Sequence, residues 1–457
     1  MEADKGRKTL GDNVIPMEYI LEFEPDFRTF RYKGKCTIKV LIKKPTNKIA
    51  LNSAELAIRD ARVTSGKDIQ DASIRTSAKD ETLLLVLKRP AKGKAELCIE
   101  FDGTNNDGMY GFYRSRYLNN GKEGYILTSQ FEPADARKAF PCFDEPEFKA
   151  VFSLSFIVDS NLEAISNMPI KNTKALGSKK RITFYTTPRM STYLLYLAVG
   201  KFEYNTSKYR NMMFRVITVP GRGKNTKMPM DFGKRFLKFY ESYFGIDFPL
   251  PKMDLIAIPD FSAGAMENWG AITFREIELL GDEKATSTAV KQRIAEVIAH
   301  ELAHQWFGDL VTMRWWDDLW LNESFATFMA TKAVDSVFPE WEFGLQDSVG
   351  ILSTALAADQ YMSTHPINVR VSEPSEINEI FDSISYDKGG SVLAMLEDYA
   401  GKEAFRKGLH AYLGKHAYSN ATKYDLWDAI EAITRKIDKN TKFSKVAKDW
   451  IDKTGYP

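Results

Sequence analysis

The pentapeptide HELAH at residues 300–304 restricts the fold of this chain more than any other feature of its sequence. Side chains four positions apart share one face of an α-helix, so a helix here points the imidazoles of His300 and His304 at one site. A carboxylate, Glu323, follows after eighteen intervening residues. Two imidazoles and one carboxylate leave one position of a tetrahedral metal open, as in catalytic zinc sites. Glu301 is then placed to contact a water on the metal without being a ligand.

The neighbouring sequence favours two helices joined by a short loop. Residues 291–307 contain no Gly or Pro and carry apolar residues at helical spacing, with N-cap candidates at 286–288 and a stop at Gly308. Residues 319–337 are predicted to form the second helix, which ends before Pro339. The alternatives are a chance histidine pattern on an amphipathic helix and an ordinary solvated glutamate. The spacing favours the metal site.

Composition excludes several functional classes. A length of 457 residues suggests two or three domains, and a net charge of +2 from 63 basic and 61 acidic residues gives no basic surface for nucleic acid. The apolar runs are too short to span a bilayer, so we expect no membrane partner, and residues 1–13 are polar without a secretory signal. Three widely spaced cysteines fit reduced thiols, and we therefore expect a cytoplasmic location.

The pattern of the chain changes near residue 205. Short apolar or alternating segments punctuated by Gly, Pro, Asn and Asp predict an antiparallel sheet domain over residues 1–204. Residues 205–457 begin with a strand, continue with a helix at about 230–244 and further strands, and are dominated by helices from residue 291 onward. The sequence thus predicts a β domain followed by an α+β, mainly helical domain.

Three further segments carry candidate site residues. The motif GAMEN places small residues before a carboxylate, so a substrate backbone can approach it closely; its residues are Gly264, Ala265, Met266, Glu267 and Asn268. In the segment 129–146, Gln130 and Glu132 are predicted to share one strand face, and Tyr386 precedes a Gly pair and a helical run. Taken singly, each segment has a structural alternative: a turn before a strand, a structured connection, and a core or rim tyrosine.

Taken together, these motifs resemble the M1 family of zinc aminopeptidases, the gluzincins, over essentially the whole chain. The resemblance rests on the zinc signature of residues 300–304 with Glu323, on GAMEN, on Tyr386 and on QFEPADARKAFPCFDEP from Gln130. The variants HQWFGDLVTM and LNESFATFM are similar to archaeal aminopeptidases associated with the tricorn protease. The resemblance implies a saddle-like N-terminal β domain, a thermolysin-like catalytic domain and one Zn²⁺ per chain.

The resemblance also implies a role for each matching residue. His300, His304 and Glu323 hold the zinc, Glu301 is the general base for a metal-activated water, and Tyr386 stabilises the oxyanion. The substrate-binding residues are Gln130, Glu132, Gly264, Ala265, Met266, Glu267 and Asn268, with the two glutamates on the free α-ammonium. The implied function is hydrolysis of N-terminal residues from peptides with free N-termini.

Members of this family usually continue into further C-terminal domains, whereas this chain stops near the usual end of the catalytic domain. We therefore expect an intact zinc site, reduced activity, and self-association through apolar helix faces that missing domains would cover. The candidate residues on those faces, some of which must belong to the core, are Leu409, Tyr412, Leu413, Trp427, Ile430 and Ile433.

Three other functions compete with the aminopeptidase. A zinc endopeptidase needs no amine anchor, and Glu267 within an intact GAMEN argues against it. An epoxide hydrolase shares the framework, but nothing in the sequence specifically supports it. A metal-free binding or scaffold protein would be expected to lack Glu301, Tyr386 or a metal ligand, and all of these are present.

Overall fold

Alternation of apolar and polar residues sets the strands of the N-terminal half, as Phe152, Leu154 and Phe156 show by lying buried between more exposed neighbours. The structure is a computed structural model that describes residues 6–456, apart from the side chains of residues 347 and 348. The strands of this half are β1 (Val14–Asp26), β2 (Arg31–Asn52), β3 (Ala57–Ser65), β4 (Asp68–Asp71), β5 (Ser73–Ser77), β6 (Thr82–Thr104), β7 (Gly111–Asn119), β8 (Lys122–Gln130), β9 (Val151–Asp159), β10 (Glu163–Ser166), β11 (Ile170–Leu176), β12 (Lys179–Phe184) and β13 (Leu197–Gly200).

These strands form two sheets that share an aromatic core. The larger has the order β11-β12-β9-β1-β2-β6-β3-β4, with β5 also paired to β6, and the smaller has the order β10-β13-β8-β7. Phe112 on β7 contacts Phe23 and Tyr32 of the larger sheet, with ring centroids 5.9 and 5.5 Å apart. The predicted antiparallel pairing holds with one exception, since β1 and β9 pair in parallel. The long connection between them makes the parallel pair possible.

The second half combines a mixed sheet with helices. Its strands are β14 (Glu203–Tyr209), β15 (Met212–Thr218), β16 (Lys252–Ile258), β17 (Ala265–Met266), β18 (Ala271–Arg275), β19 (Val311–Met313) and β20 (Ser419–Ala421). The first five form one sheet in the order β14-β15-β16-β18-β17, so β17 lies at its edge. Its helices are α1 (Lys227–Phe244), α2 (Glu276–Leu279), α3 (Thr288–His304), α4 (Trp320–Val337), α5 (Phe343–Asp359), α6 (Gly389–Ala400), α7 (Lys402–His416), α8 (Lys423–Ile437) and α9 (Phe443–Ile451).

Helix α4 lies at the centre of this half. Every residue from 320 to 330 is buried, which is typical of a helix covered on all sides. The hydroxyl of Tyr240 on α1 donates to the carbonyls of Ala299 on α3 and Met329 on α4, at 2.8 and 3.2 Å. A single buried side chain therefore fixes α3 relative to α4.

The predicted helices are present, with shifted ends. Helix α3 begins at Thr288 because the Ser287 side chain caps it by accepting from Val290 N, and it ends at His304, before the expected stop at Gly308. Helix α1 begins at Lys227, earlier than predicted, because Pro229 is tolerated in a first turn. Helix α4 agrees with its prediction within one residue.

The prediction that apolar faces of the late helices are exposed is wrong. Leu409, Tyr412, Leu413, Trp427 and Ile430 are at most 2% exposed, and Ile433 is half-buried. These side chains form a core between α7, α8 and α4, and the Trp427 ring stacks on Trp320 with centroids 5.3 Å apart. On α5, by contrast, three apolar side chains are exposed: Leu345, Val349 and Leu352, at 68, 65 and 46%.

The change of architecture lies close to the predicted domain boundary. Strand β14 begins at Glu203 and already belongs to the five-stranded sheet of the second half. The division into residues 1–204 and 205–457 stays a prediction. Among residues 6–456, no helix has both the length and the apolar content to cross a membrane.

Candidate active site

The two helices α3 and α4 bring His300, His304 and Glu323 together. The Nε2 atoms of the two histidines are 3.0 Å apart, and Glu323 Oε2 lies 3.4 Å from that of His300 and 3.5 Å from that of His304. A tetrahedral metal with bonds of about 2.0–2.1 Å holds its donor atoms about 3.3–3.4 Å apart. Two imidazole nitrogens and one carboxylate oxygen at this spacing therefore fit a Zn²⁺ ion.

Backbone around the helix end orients the second histidine. Nδ1 of His304 lies 2.9 Å from the carbonyl oxygen of Phe307, which can only accept, so the neutral ring carries its proton on Nδ1. Its Nε2 lone pair is then free to face the site. Helix α3 ends at His304, and the turn that follows places the Phe307 carbonyl next to the His304 ring. Gly308, with φ of 134°, completes the turn in a conformation that favours glycine.

Three buried carboxylates converge next to the histidines. Oxygen atoms of Glu132, Glu267 and Glu323 lie within 4.8 Å of one another. Oε1 of Glu132 and Oε1 of Glu267 have no hydrogen-bond partner among the described residues. Buried carboxylates this close repel one another strongly unless cations lie between them. The cluster is therefore built to receive positive charge.

The pKa values follow from this crowding. Burial, reinforced by the Glu267 carboxylate, raises the pKa of Glu132 well above its usual range. Burial also raises the pKa of Glu267 to about 7, against the opposing effect of His304. Burial acts in the same direction on Glu323, but His304 and His300 outweigh it and hold the pKa of Glu323 well below its ordinary value. Glu323 is thus the carboxylate that stays ionised beside the histidines.

Glu301 lies in the wall of the same cavity and is 6% exposed. Its Oε2 has no hydrogen-bond partner among residues 6–456, and burial raises its pKa well above the usual range of a glutamate. A carboxylate with a raised pKa accepts a proton more readily, which is what a general base near neutral pH requires.

Tyr386 lies on a π-helix, Ile384–Lys388, that leads directly into α6. Short π-helical segments are frequent at functional sites. The carboxylate of Asp382 accepts from the backbone N–H groups of Ile384 and Ser385 at 3.0 and 3.1 Å, which fixes the start of this turn. Burial raises the pKa of the Tyr386 hydroxyl well above its ordinary value, so the hydroxyl keeps its proton and can donate.

A contact with α4 holds the far side of the same turn. The hydroxyl of Ser324, next to Glu323, donates to the Ser385 carbonyl at 2.6 Å. A Cβ on Gly389 would lie 1.9 Å from Ser324 Oγ, so only glycine fits there. The turn that carries Tyr386 therefore lies in close contact with α4, near Glu323.

The GAMEN motif forms the edge of the five-stranded sheet. Ala265 pairs with Phe274 and Met266 with Thr273 on β18. The side chain of Gln305, fully buried directly after His304, donates to the carbonyls of Glu267 and Glu301 at 3.1 and 3.3 Å. This amide therefore connects the GAMEN motif to α3.

These residues surround a cavity of about 450 Å³. The predicted site residues in its wall are His300, His304, Glu323, Glu301, Tyr386, Glu132, Glu267, Gly264 and Ala265. Gln130, Met266 and Asn268 are buried but do not line it. Glu132 lies just beyond the end of β8, which ends at Gln130, so the two residues do not share a strand.

Sequence reasoning missed several residues that support the site. Gln305 and Asp382 hold the segments that carry Glu267 and Tyr386, and Arg293 lies in the cavity wall on α3. Arg293 could have been found from helical spacing, because it precedes His300 by two turns and so shares its face. Gln305 and Asp382 carry no signal of this kind.

Both halves of the chain match models of one peptidase family. The Peptidase M1 N-terminal domain matches residues 15–194, and the Peptidase family M1 domain matches residues 228–450. The chain belongs to peptidase family M1. This confirms the family expected from the motifs and the predicted order of a β domain before a mainly helical one. The second match contains the histidine pair and Glu323, and the first contains Glu132.

Curated relatives of this M1 chain come from archaea and eukaryotes. It is 47% identical over 446 residues to a probable aminopeptidase 2 of Sulfurisphaera tokodaii, covering 97% of this chain and 54% of the relative. It is 45% identical over 440 residues to the tricorn protease-interacting factor F2 of Thermoplasma volcanium, covering 96% and 53%. It is 42% identical over 458 residues to aminopeptidase 2, mitochondrial, of Saccharomyces cerevisiae, covering 99% and 47%. The chain thus spans about half the length of these relatives.

Proposed function

We propose that this chain carries the active site of a zinc-dependent aminopeptidase, which hydrolyses N-terminal residues from peptides with free N-termini. The observation that carries the proposal is the position of two unpaired buried carboxylates, Glu132 and Glu267, beside a donor set of two histidines and Glu323. This arrangement can accept two cations. The first is a metal ion bound by the histidines and Glu323, and the second is the α-ammonium of a peptide, bound by Glu132 and Glu267.

His300, His304 and Glu323 would hold the Zn²⁺, whose donor spacing they match. When bound, zinc supplies Lewis-acid polarisation of the scissile carbonyl and of a water molecule. The carbonyl of Phe307 keeps the proton of His304 on Nδ1, so the imidazole is a neutral ligand.

Glu132 and Glu267 would bind the α-ammonium and orient the peptide. A salt bridge to a cation lowers the free energy of two carboxylates that otherwise repel each other in a buried place. A peptide with a blocked N-terminus brings no such charge and leaves both carboxylates unpaired. The geometry therefore favours removal of the terminal residue over cleavage within a chain.

Strand β17 would hold the backbone of the peptide. It pairs with β18 on one side and is the edge strand of its sheet, so its other side can accept an extended segment by strand addition. Gly264 and Ala265 both line the cavity, where the lack of a side chain on Gly264 and the single methyl group of Ala265 let another backbone approach.

Glu301 and Tyr386 would move and stabilise the reacting charge. Glu301 takes a proton from the attacking water and passes it to the leaving amine, a task that suits a carboxylate with a raised pKa. Tyr386 donates its hydroxyl proton in a hydrogen bond to the oxyanion that develops from the scissile carbonyl. Gln130, Met266 and Asn268 do not line the cavity, and their substrate-binding roles stay predictions.

The test compares substrates that differ only at the N-terminus. Aminoacyl-arylamides with a free amine should be hydrolysed, their N-acetylated counterparts should not, and a chelator followed by added Zn²⁺ should abolish and restore the activity. Efficient cleavage of an internal bond in an N-acetylated peptide would instead support an endopeptidase. Peptide binding without turnover, in protein loaded with zinc, would support a binding protein.

We also propose the domain division at residues 204 and 205 and a cytoplasmic location. The second proposal rests on Cys36, Cys98 and Cys142, which are free thiols in this structure. Limited proteolysis tests the first proposal, and fractionation of the source cells tests the second.

A further inference from the structure

Arg293 lies in the cavity wall, and the proposed chemistry gives it no task. Its Nε donates to Glu278 on α2 at 3.0 Å, and its Nη1 donates to Glu296 on its own helix at 3.3 Å. No hydrogen-bond partner for its Nη2 atom occurs among residues 6–456. Two carboxylates thus orient the guanidinium and leave the N–H groups of Nη2 available as donors.

The Nη2 group of Arg293 lies next to Gly264, the first residue of the GAMEN motif. A Cβ built on Gly264 would lie 3.9 Å from Arg293 Nη2. Gly264 is also the residue whose carbonyl accepts from Arg275 N at 2.9 Å, so its backbone is fixed by the sheet. The guanidinium therefore lies beside the outer end of the β17 edge.

The positions of Glu267 and Gly264 along this edge indicate the direction in which a bound peptide would run. The amine anchor, Glu267, lies at one end of the motif, and Gly264 lies three residues away, about 10 Å along an extended strand. A peptide held by its ammonium at Glu267 and extended along β17 runs toward Gly264. Its second or third residue then passes Arg293. The departing part of the substrate, beyond the scissile bond, is the part that meets the guanidinium.

The charge of Arg293 indicates which group it binds. Glu278 and Glu296 already balance the guanidinium, so a further carboxylate would gain little net attraction there. A neutral acceptor in the right direction still gains a charge-assisted hydrogen bond. A backbone carbonyl meets this requirement in every peptide, whatever its side chains.

We infer that Arg293 Nη2 donates a hydrogen bond to a backbone carbonyl of the peptide beyond the scissile bond. This inference rests on the proposed function and makes Arg293 a substrate-binding residue of the same site. Peptides of three or more residues are then better substrates than amides that end at the scissile bond.

The experiment compares two substrates with the same first residue, an aminoacyl-4-nitroanilide and a tripeptide, in the zinc-loaded protein. The nitroanilide has no carbonyl beyond the scissile amide. Arg293→Met keeps an apolar stem and removes the donor, and it should lower kcat/KM for the tripeptide about tenfold, as expected for one hydrogen bond to a charged group. The nitroanilide should change less than twofold. Lys291→Met, on the same helix but outside the cavity wall, is the matched control.

A measurement of peptide binding tests the same inference without depending on turnover. In the Glu301→Gln background, calorimetry should show tripeptide affinity about tenfold weaker with Arg293→Met than without it. Equal losses on both substrates, or no loss on either, would overturn the inference, and so would unchanged tripeptide affinity. A wild-type protein that hydrolyses neither substrate contradicts the proposed function, while the calorimetric comparison still decides the role of Arg293.

Discussion

The ring of Tyr386 lies nearly parallel to the ring of His300, with centroids 5.9 Å apart and planes inclined by 14°. The stacking holds the phenol next to His300, a proposed metal ligand, while Asp382 holds its backbone turn. The hydroxyl is therefore positioned by packing before any substrate arrives. Such preorganisation is what allows a hydrogen-bond donor to act on a transition state.

Tyr386→Phe should lower kcat by about 100- to 1,000-fold, roughly 3–4 kcal/mol, because it removes one oxyanion donor and little volume. KM should change much less, since the hydroxyl acts after binding. Steady-state kinetics on an aminoacyl-arylamide measures both constants. A near-normal kcat would make Tyr386 a packing residue.

Glu301→Gln should retain zinc and lose activity, because Glu301 is not one of the three clustered metal donors. General acid–base groups contribute about 100- to 10,000-fold, so a fall in kcat of that size is expected. Elemental analysis after dialysis measures the zinc, with Glu323→Gln as the control that should lose it. Loss of zinc from Glu301→Gln would contradict the assigned roles.

Glu267→Gln and Glu132→Gln should each weaken free-amine substrates by about ten- to a hundredfold in kcat/KM. Each removes one carboxylate from the cation-binding pair at nearly constant volume, and a hydrogen bond to a charged group contributes about 1.5–3 kcal/mol. Assays with free and N-acetylated substrates measure the discrimination. Unchanged discrimination in both variants would show that the amine is bound elsewhere.

His365 should make stability depend on pH through its contact with Asp382. Its Nε2 lies 2.8 Å from Asp382 Oδ2, and this hydrogen bond raises the pKa of His365 above its ordinary value of 6.5. The stabilisation is present in full below that value and is lost as the pH rises through the higher folded pKa. The pair is partly exposed, so we expect about 0.5–1 kcal/mol.

Urea denaturation of the wild type and of His365→Gln at pH 5.5 and 8.5 measures this contribution. The wild type should lose more stability than the variant between the two pH values. An identical pH dependence in both proteins would show that the contact does not stabilise the fold.

The α5 surface, formed by Leu345, Val349 and Leu352, should promote self-association. Exposed apolar side chains at helical spacing leave a continuous patch in contact with water. Val349→Glu with Leu352→Glu should lower the mass measured by light scattering. Ile437→Glu, at the exposed end of α8, is the matched control. A wild-type protein that is monomeric at all concentrations would disprove this prediction.

The sequence predicted best where a local rule applied. The spacing of His300 and His304 requires one helix face, and the alternation in β9 requires a strand, so both were found. The burial of Trp427 depends on Trp320, more than a hundred residues away. Helical periodicity identifies an apolar face but does not show whether another part of the same chain covers it. The π-helix around Tyr386 likewise depends on Asp382 and on the close approach of Ser324.

The amide of Gln305 has a consequence for the products of the proposed reaction. It connects the carbonyls of Glu267 and Glu301, which belong to the amine anchor and to the base. Because this amide joins the two backbones, the proposed amine anchor keeps a fixed position relative to the proposed base. A peptide emerges one residue shorter with a new free amine, and that amine is again a ligand for the same pair of carboxylates. In the proposed reaction, the same site can therefore remove the next residue from each shortened peptide.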